Sequence, residues 1–170
     1  KYEPATGLTR LETVRVSRAS ADQRSGRAGR TEPGIAIRMW RAEQTAALPA
    51  FSTPEILEAD LTGLILDAGA FGVTDPTKLA FLDQPPAAAL TEARALLAGL
   101  GALDTDGRLT EAGHRMRKLA LPVRLAHMVA ESSDTQLAAK LAVLLTERGL
   151  GGTSIDLDTR LRRFAGEKGQ

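Results

Sequence analysis

The sequence predicts a fold that is mixed α/β at its beginning and mainly α over the rest of its length. Two segments with alternating apolar residues, 11–17 and 34–40, flank a short helical pattern near the start. From residue 53 onward, helix-start signals and apolar residues spaced by three and four predominate. With 43% apolar and 4% aromatic residues among 170, the composition is typical of one or two small helix-rich domains with a hydrophobic core.

The first 41 residues predict a strand, a short helix and a second strand. Leu11 to Ser17, LETVRVS, is enriched in β-branched residues and predicts the first strand. Ser20 to Gln23 matches a capping box, which predicts that the helix begins at Ser20. Pro33-Gly34 ends this helix, and the second strand then has three apolar residues on one face: Ile35, Ile37 and Met39. Two strands cannot bury both faces of a sheet, so we expect further strands of a longer protein before Lys1.

Segment 54–113 has the pattern of a winged-helix domain. Thr53-Pro54-Glu55 is a helix start, and a second helix is predicted over Ala87 to Leu100. Ala102 to Thr110 has apolar ends around an Asp-Gly turn, which predicts a β-hairpin, and Thr110 caps a third helix. Residues 42–53 predict a short helix and a linker before this domain, and 114–170 predict further helices after it.

The composition also excludes several kinds of site. There is no cysteine, so disulfides and thiolate metal sites are excluded. No apolar run approaches the roughly 18 residues that indicate a membrane span. The two histidines, His114 and His127, are far apart, which disfavours a metal site, and we expect both to be partly buried structural residues. Trp40 is expected to pack in the core.

Charge is distributed unevenly along the chain, although the formal net charge is only +1. Residues 1–41 carry nine basic side chains against four acidic ones. The remaining residues carry 13 basic side chains against 17 acidic ones. An arginine-rich segment followed by a net acidic remainder indicates one localised anion-binding site more than a basic surface along the whole chain.

The chemically most informative stretch is QRSGRAGR. It contains a glutamine, three arginines and two glycines, which are Gln23, Arg24, Gly26, Arg27, Gly29 and Arg30. On a helix the arginines would step by three residues and point into one region, where each pair would repel by about 0.2–0.5 kcal/mol. An anion relieves this repulsion. The glycines would let a phosphate approach closely, and guanidinium groups match phosphate oxygens, so a triphosphate is the natural candidate.

A second interpretation of these residues needs no ligand. Gln23 could serve only as a capping residue, and the arginines could form a solvated face. They could also pair with nearby carboxylates, namely Glu12, Asp22 and Glu32. The spacing of the residues alone leaves both interpretations open.

The same stretch resembles a known family. QRSGRAGR, preceded by SRASAD, closely resembles motif VI of the DEAH-box superfamily 2 helicases. Four further segments look like that family: TGLTRLETVRVSRASADQ, PGIAIRMW, PEILEADLTGLIL and LDQPPAAALTEARALLAGLGALDTDGRLTEAGHRM. The resemblance therefore covers nearly the whole chain. Within the family, SRASADQR and LGALDTDGRLTEAG are most similar to the bacterial HrpB group of ATP-dependent RNA or DNA helicases.

The resemblance implies an activity and a role for each residue of the motif. Gln23 would orient the attacking water, and Arg27 and Arg30 would contact the γ-phosphate of ATP as arginine fingers, which are worth about 10³ to 10⁵ in rate. Arg24 would support them through a phosphate contact or an ion pair. The chain has no Walker A pattern and no Asp-Glu-Ala-His box, so the Mg²⁺ ligands are expected in the first RecA-like domain of a longer protein. This chain alone is expected to be inactive.

The resemblance also implies a domain order. Residues 1–41 would be the C-terminal part of the second RecA-like domain, 42–53 a linker, 54–113 the winged helix and 114–170 the start of a helical ratchet domain. The implied partners are single-stranded RNA or DNA and the other RecA-like domains of the same protein, with no membrane. A monomer in the bacterial cytoplasm is expected.

Two other basic features are weaker signals. The predicted helix Ala87 to Leu100 carries only Arg94 against Glu92, so it does not have the basic character of a DNA recognition helix. A second basic cluster could contact a nucleic-acid backbone or form a solvated helix face: Arg115, Arg117, Lys118 and Arg124. The alternative function is a non-enzymatic winged-helix module whose arginines bind nucleic-acid phosphates.

Overall fold

The structure is a computed structural model that describes the backbone of residues 2–3, 8–9 and 12–167 and the side chains of 12–166. Leu11, the first residue of the first predicted strand, lies outside the described residues. Within the described ranges, no helix combines the length and the apolar character needed to cross a bilayer.

The described elements are two short strands and eight α-helices. Strands β1 (Tyr2–Glu3) and β2 (Leu8–Thr9) pair antiparallel, with Tyr2 opposite Thr9. The helices are α1 (Arg18–Ser25), α2 (Ala42–Ala46), α3 (Thr62–Ala70), α4 (Ala87–Gly99), α5 (Glu111–Lys118), α6 (Val123–Glu131), α7 (Thr135–Thr146) and α8 (Leu157–Glu167). Two single 3₁₀ turns, Glu55–Leu57 and Pro76–Lys78, precede α3 and α4.

Contacts divide the chain into two compact units. The first comprises residues 1–60 and 81–86, and the second comprises 61–80 and 87–170. The first unit thus contains α1 and α2, whereas the second contains α3 to α8. The four-segment domain order expected from the sequence stays a prediction.

The two strands predicted around α1 are not formed, and the α/β character expected at the start of the chain is not shown. Residues 12–17 and 34–38 have no regular secondary structure, and 39–40 form a bend. Ile35, Ile37 and Met39 are 90%, 80% and 90% exposed. An alternating segment becomes a strand only when a neighbouring strand supplies hydrogen bonds, and the described residues place none beside it.

Helix α1 begins earlier than the capping-box pattern predicts. Its N-cap is Ser17, whose hydroxyl oxygen accepts a hydrogen bond from the N–H of Ser20 at 3.2 Å. The N–H groups of Arg18 and Ala19 donate to the carbonyls of Pro49 and Ala50 at 2.9 and 3.1 Å. The donors at the start of α1 are therefore satisfied by the segment that follows α2, and not by Gln23.

The second unit has the order of helices and hairpin predicted for a winged helix, but the first helix starts later than predicted. Glu55–Leu57 form only a single 3₁₀ turn in the first unit, and α3 begins at Thr62. Helix α3 packs on α4 and α5. Leu103 and Leu109 form an antiparallel bridge across the Asp-Gly turn, which confirms the predicted hairpin as a single-bridge wing. Thr110 caps α5 by accepting from Gly113 N–H at 3.1 Å, as predicted. Four large side chains of this unit are almost fully buried: Leu90, Leu97, Met116 and Leu144.

The last helices extend this unit as a consecutive stack in which α5 packs on α6, α6 on α7 and α7 on α8. Arg160 of α8 closes the loop between the last two helices. Its guanidinium donates to the carbonyl of Leu144 at 2.6 Å and to that of Leu150 at 3.1 Å. A Cβ on Gly151 would lie 2.4 Å from the carbonyl oxygen of Arg160, so this loop can pass α8 only without a side chain there.

Candidate functional site

The arginine row, defined here as Arg24, Arg27 and Arg30, does not lie along one helical face. Arg24 belongs to α1, which ends at Ser25, whereas Arg27 lies in the following turn and Arg30 in a bend. The common face that a helix through all three residues would give is therefore not formed. Gly26 interrupts the helix as its C-cap, in keeping with the low helix propensity of glycine.

All three arginines are exposed, as is Gln23 beside them. Within 12–166, none of the three guanidinium groups makes an ion pair or a hydrogen bond. Asp22, one of the carboxylates considered as a partner for them, pairs instead with Arg38, with 2.5 Å between Nη2 and Oδ1. The row is therefore not neutralised by its own segment and remains accessible to an external anion.

The turn that carries Arg27 is held by backbone hydrogen bonds. Gly26 N–H donates to Asp22 O at 2.9 Å, Arg27 N–H to Arg24 O at 3.2 Å and Ala28 N–H to Ser25 O at 3.1 Å. These bonds fix the backbone of Arg27 relative to α1. No such bond is described for Arg30, which lies beyond the turn.

The close backbone approach occurs at Gly34. A Cβ there would lie 1.8 Å from the carbonyl oxygen of Ala28, a distance that no side chain can adopt without moving the backbone. Beside Gly29 there is open space within 4 Å, and a Cβ on Gly26 would make an ordinary contact of 3.4 Å with Asp22 O. The space beside Gly29 is therefore open, and its role in a phosphate site stays a prediction, whereas Gly34 joins the turn to the extended segment 34–40.

A cleft lies between α1 and the extended segment. Its volume is about 310 Å³, and it is lined by Val16, Ala21, Arg24, Ser25, Ala36, Ile37, Arg38 and Trp40. Trp40 is half-buried, and its Nε1–H donates to the Thr45 hydroxyl oxygen at 3.0 Å. The indole therefore packs beside α2 with its polar edge satisfied, while part of the ring faces the cleft.

Sequence reasoning missed two residues that position this region. Ser17 is only 2% exposed, and its hydroxyl oxygen also accepts a hydrogen bond from the Ser52 hydroxyl at 3.2 Å. Arg38 reaches α1 from the extended segment. The alternation of 34–40 could have indicated Arg38, because it lies on the face opposite the exposed Ile35, Ile37 and Met39.

We expect Ser17→Ala to lower the free energy of unfolding by about 1 kcal/mol, because it removes the N-cap acceptor of α1. Ser20→Ala is the matched control, since the sequence pattern assigns the cap to Ser20 and the structure does not. Its effect should stay within about 0.5 kcal/mol. Urea unfolding of both variants tests this, and a larger loss for Ser20→Ala than for Ser17→Ala would contradict the assignment.

Half of the second basic cluster is engaged in ion pairs between helices. Arg115 of α5 pairs with Glu131 of α6 at 2.6 Å, and Arg117 of α5 pairs with Asp67 of α3 at 2.8 Å. All four side chains are exposed, but the two arginines pair with neighbouring helices, whereas within 12–166 no ion pair is described for Lys118 and Arg124. The solvated-face and nucleic-acid interpretations of the cluster thus apply mainly to the latter two residues.

The other candidate residues, Arg94 and the two histidines, take part in packing or lie at the surface. Arg94 forms an ion pair with Asp75 at 3.2 Å. Hydrogen bonds from the Thr77 hydroxyl and N–H, together with the Arg94 guanidinium, hold the pKa of Asp75 below its usual value. His114 is exposed, so the expectation that it is partly buried is wrong. His127 is partly buried as predicted, and its Nδ1 is buried without a hydrogen-bond partner in the described residues.

Comparisons with known proteins identify the family. A family model described as helicase associated domain (HA2), winged-helix, matches residues 93–123. The chain is 44% identical over 157 residues to "ATP-dependent RNA helicase HrpB" of Escherichia coli, covering 91% of this chain and 19% of that protein. It is 38% identical over 134 residues to human "Probable ATP-dependent RNA helicase DHX35", covering 78% of this chain and again 19% of the relative.

A solved structure agrees with these sequence matches. The crystal structure of the Escherichia coli DEAH/RHA helicase HrpB superposes with a TM-score of 0.76 at 38% identity, over 100% of this chain and 23% of that one. The chain spans about a fifth of the length of the curated relatives it matches. The agreement of the winged-helix family model, the helicase relatives and the solved structure shows that this chain belongs to the DEAH-box helicase family.

Proposed function

We propose that this chain is part of an ATP-dependent RNA helicase and supplies the arginine side chains that act on the terminal phosphate of ATP. The observation that supports this most strongly is the exposed arginine row, whose guanidinium groups have no partner within 12–166 although Asp22 lies beside them. The helicase relatives are named as acting on RNA, and we extend that substrate to this protein.

The chemistry of the row suits a transferring phosphoryl group. Charge spreads over the equatorial oxygens of the γ-phosphoryl in the transition state, and guanidinium donors placed there stabilise it. Arg27 and Arg30 contact the γ-phosphate as arginine fingers, and Gln23 orients the attacking water. Arg24 supports them, since it remains on α1 and lines the adjacent cleft.

The backbones of the two arginines are held differently. The N–H of Arg27 donates to Arg24 O within the turn, whereas Arg30 lies in a bend beyond the turn. The open space beside Gly29, between the two, admits a phosphate or a facing backbone without displacing a side chain. Closure over the nucleotide is the step that would bring both guanidinium groups to their target.

The nucleotide is bound as its Mg²⁺ complex, and the metal ligands and the phosphate cradle belong to the first RecA-like domain. Within the described ranges, no three histidine or acidic side chains are grouped as metal ligands. Mg²⁺ held by that domain would neutralise charge on the phosphates, while Arg27 and Arg30 of this chain would supply guanidinium donors to the γ-phosphate.

The rest of the chain connects the nucleotide site to the RNA-binding parts of the protein. We assign 1–41 to the end of the second RecA-like domain, 42–53 to a linker, 54–113 to the winged helix and 114–170 to the start of the ratchet domain. Helices α3 to α8 pack as one unit, and the ion pairs of Arg115 and Arg117 lie between α5 and its neighbours α6 and α3.

RNA-stimulated ATP hydrolysis by the longer protein tests this function. We expect hydrolysis by that protein and none by residues 1–170 alone, which lack the phosphate cradle. The isolated chain serves as its own control, because circular dichroism reports whether it is folded. Hydrolysis by the isolated, folded chain, or its absence from the RNA-bound longer protein, would refute the proposal.

A further inference from the structure

Arg38 makes the ion pair that connects the extended segment to the helix of the arginine row. Its Nη2 lies 2.5 Å from Asp22 Oδ1 and 3.5 Å from the Ser25 hydroxyl oxygen. The Ser25 hydroxyl in turn donates to Asp22 O at 2.9 Å. The Arg38 guanidinium therefore contacts both Asp22, which precedes Gln23, and Ser25, the last residue of α1.

A second contact fixes the other side of the same turn. The backbone at Gly34 lies so close to Ala28 that a Cβ would clash with the Ala28 carbonyl. The segment 26–33 is thus held at Gly34 and again at Arg38, and it carries Arg27 and Arg30 between these points. Two attachments constrain the direction of the turn more than either alone, because the chain between them is short.

From this geometry we propose that Arg38 is a positioning residue: by binding Asp22 and Ser25 it fixes the end of α1, and with it the direction of the arginine row toward the phosphate. The proposal rests on the function proposed above. Arg38 itself does not touch the nucleotide, since its guanidinium is directed to Asp22, and the side chain is 33% exposed. It limits the orientations that Arg27 and Arg30 can adopt before they contact the phosphate.

The test uses the longer protein with Arg38→Gln and Asp22→Asn, alone and together. We expect each single variant to lower kcat for RNA-stimulated ATP hydrolysis about tenfold, with KM for ATP changed less than about twofold, because misplacement of catalytic groups affects the transition state more than ground-state binding. The double variant should be no slower than either single one, since both remove the same contact. The charge swap Asp22→Arg with Arg38→Asp should recover part of kcat.

A matched control removes an ion pair that is distant in sequence from the row. Arg108→Gln disrupts the pair with Asp106 in the wing, whose side chains are 70% and 69% exposed, and should leave kcat within about twofold of the parent. Asp22→Asn, at a side chain 65% exposed, keeps the test valid should Arg38→Gln fail to fold.

The outcomes separate this inference from the proposed function. An unchanged kcat in both single variants, or losses that multiply in the double variant, would overturn the positioning role. If Arg30→Ala abolishes hydrolysis while Arg38→Gln has no effect, only the positioning role fails. If neither substitution affects hydrolysis, the proposed function fails with it.

Discussion

In the longer protein, Arg30→Ala should reduce RNA-stimulated ATP hydrolysis by about 10³-fold or more, the effect typical of removing an arginine finger. Arg30 is exposed and makes no ion pair within 12–166, so its removal disrupts no internal contact that would confuse the result. RNA binding should remain close to that of the parent, because the side chain acts on the nucleotide. Steady-state hydrolysis and RNA titration of the same preparation measure both effects.

Two companion variants sharpen this prediction. Arg30→Lys keeps the charge but loses the forked donors, and should recover little of the lost rate. Arg108→Ala, at an exposed arginine of the wing, should leave hydrolysis unchanged. The alternative function, a module that grips nucleic-acid phosphates, predicts the reverse for Arg30→Ala: weaker, less salt-dependent RNA binding with hydrolysis intact.

The largest structural effect is expected from Gly113→Ala in α5. Alanine normally favours a helix over glycine by about 1 kcal/mol. Here the new Cβ would lie 2.3 Å from the Ala102 carbonyl oxygen and 3.0 Å from Leu109 Cδ2. Because one obstacle is backbone, the helix must move away from the wing, and we expect a net loss of about 1–3 kcal/mol in the free energy of unfolding. Thermal unfolding measures the loss.

Gly63→Ala provides the control for this substitution. Gly63 also lies in a helix, α3, but it is exposed and nothing lies within 4 Å of an added Cβ. Its replacement should raise the free energy of unfolding by as much as about 1 kcal/mol. If Gly113→Ala raised the free energy of unfolding, as Gly63→Ala should, the packing described between α5 and the wing would be wrong.

The winged helix could be predicted from the sequence because its signals are local. The Asp-Gly turn, the Thr110 cap and the apolar spacing of α4 are each contained within a few neighbouring residues. Such signals depend little on the rest of the chain, and the hairpin bridge and the α5 cap lie where they were predicted.

The errors arise where the outcome depends on distant residues. The predicted strands needed neighbouring strands, and residues 34–40 have no regular secondary structure, with Ile35, Ile37 and Met39 exposed. Ser17 caps α1 in place of Ser20 because carbonyls near residue 50 accept the next donors. No short-range pattern encodes such contacts.

The assignment of the candidate site stays a prediction. The composition of the motif pointed to the arginines, and within 12–166 they are exposed and without carboxylate partners. Their common helical face is not formed because Gly26 ends α1. The Arg38–Asp22 pair spans 16 residues, and spacing within the motif could not indicate it.

The most direct measurement is a structure of the longer protein with RNA, ADP, Mg²⁺ and tetrafluoroaluminate, which imitates the transferring γ-phosphoryl group. We predict guanidinium nitrogens of Arg27 and Arg30 at about 2.7–2.9 Å from its fluorides or the neighbouring β-phosphate oxygens. If both arginines instead faced solvent or paired with carboxylates of their own domain while the analogue was bound, the claim that this row acts on the nucleotide would be contradicted.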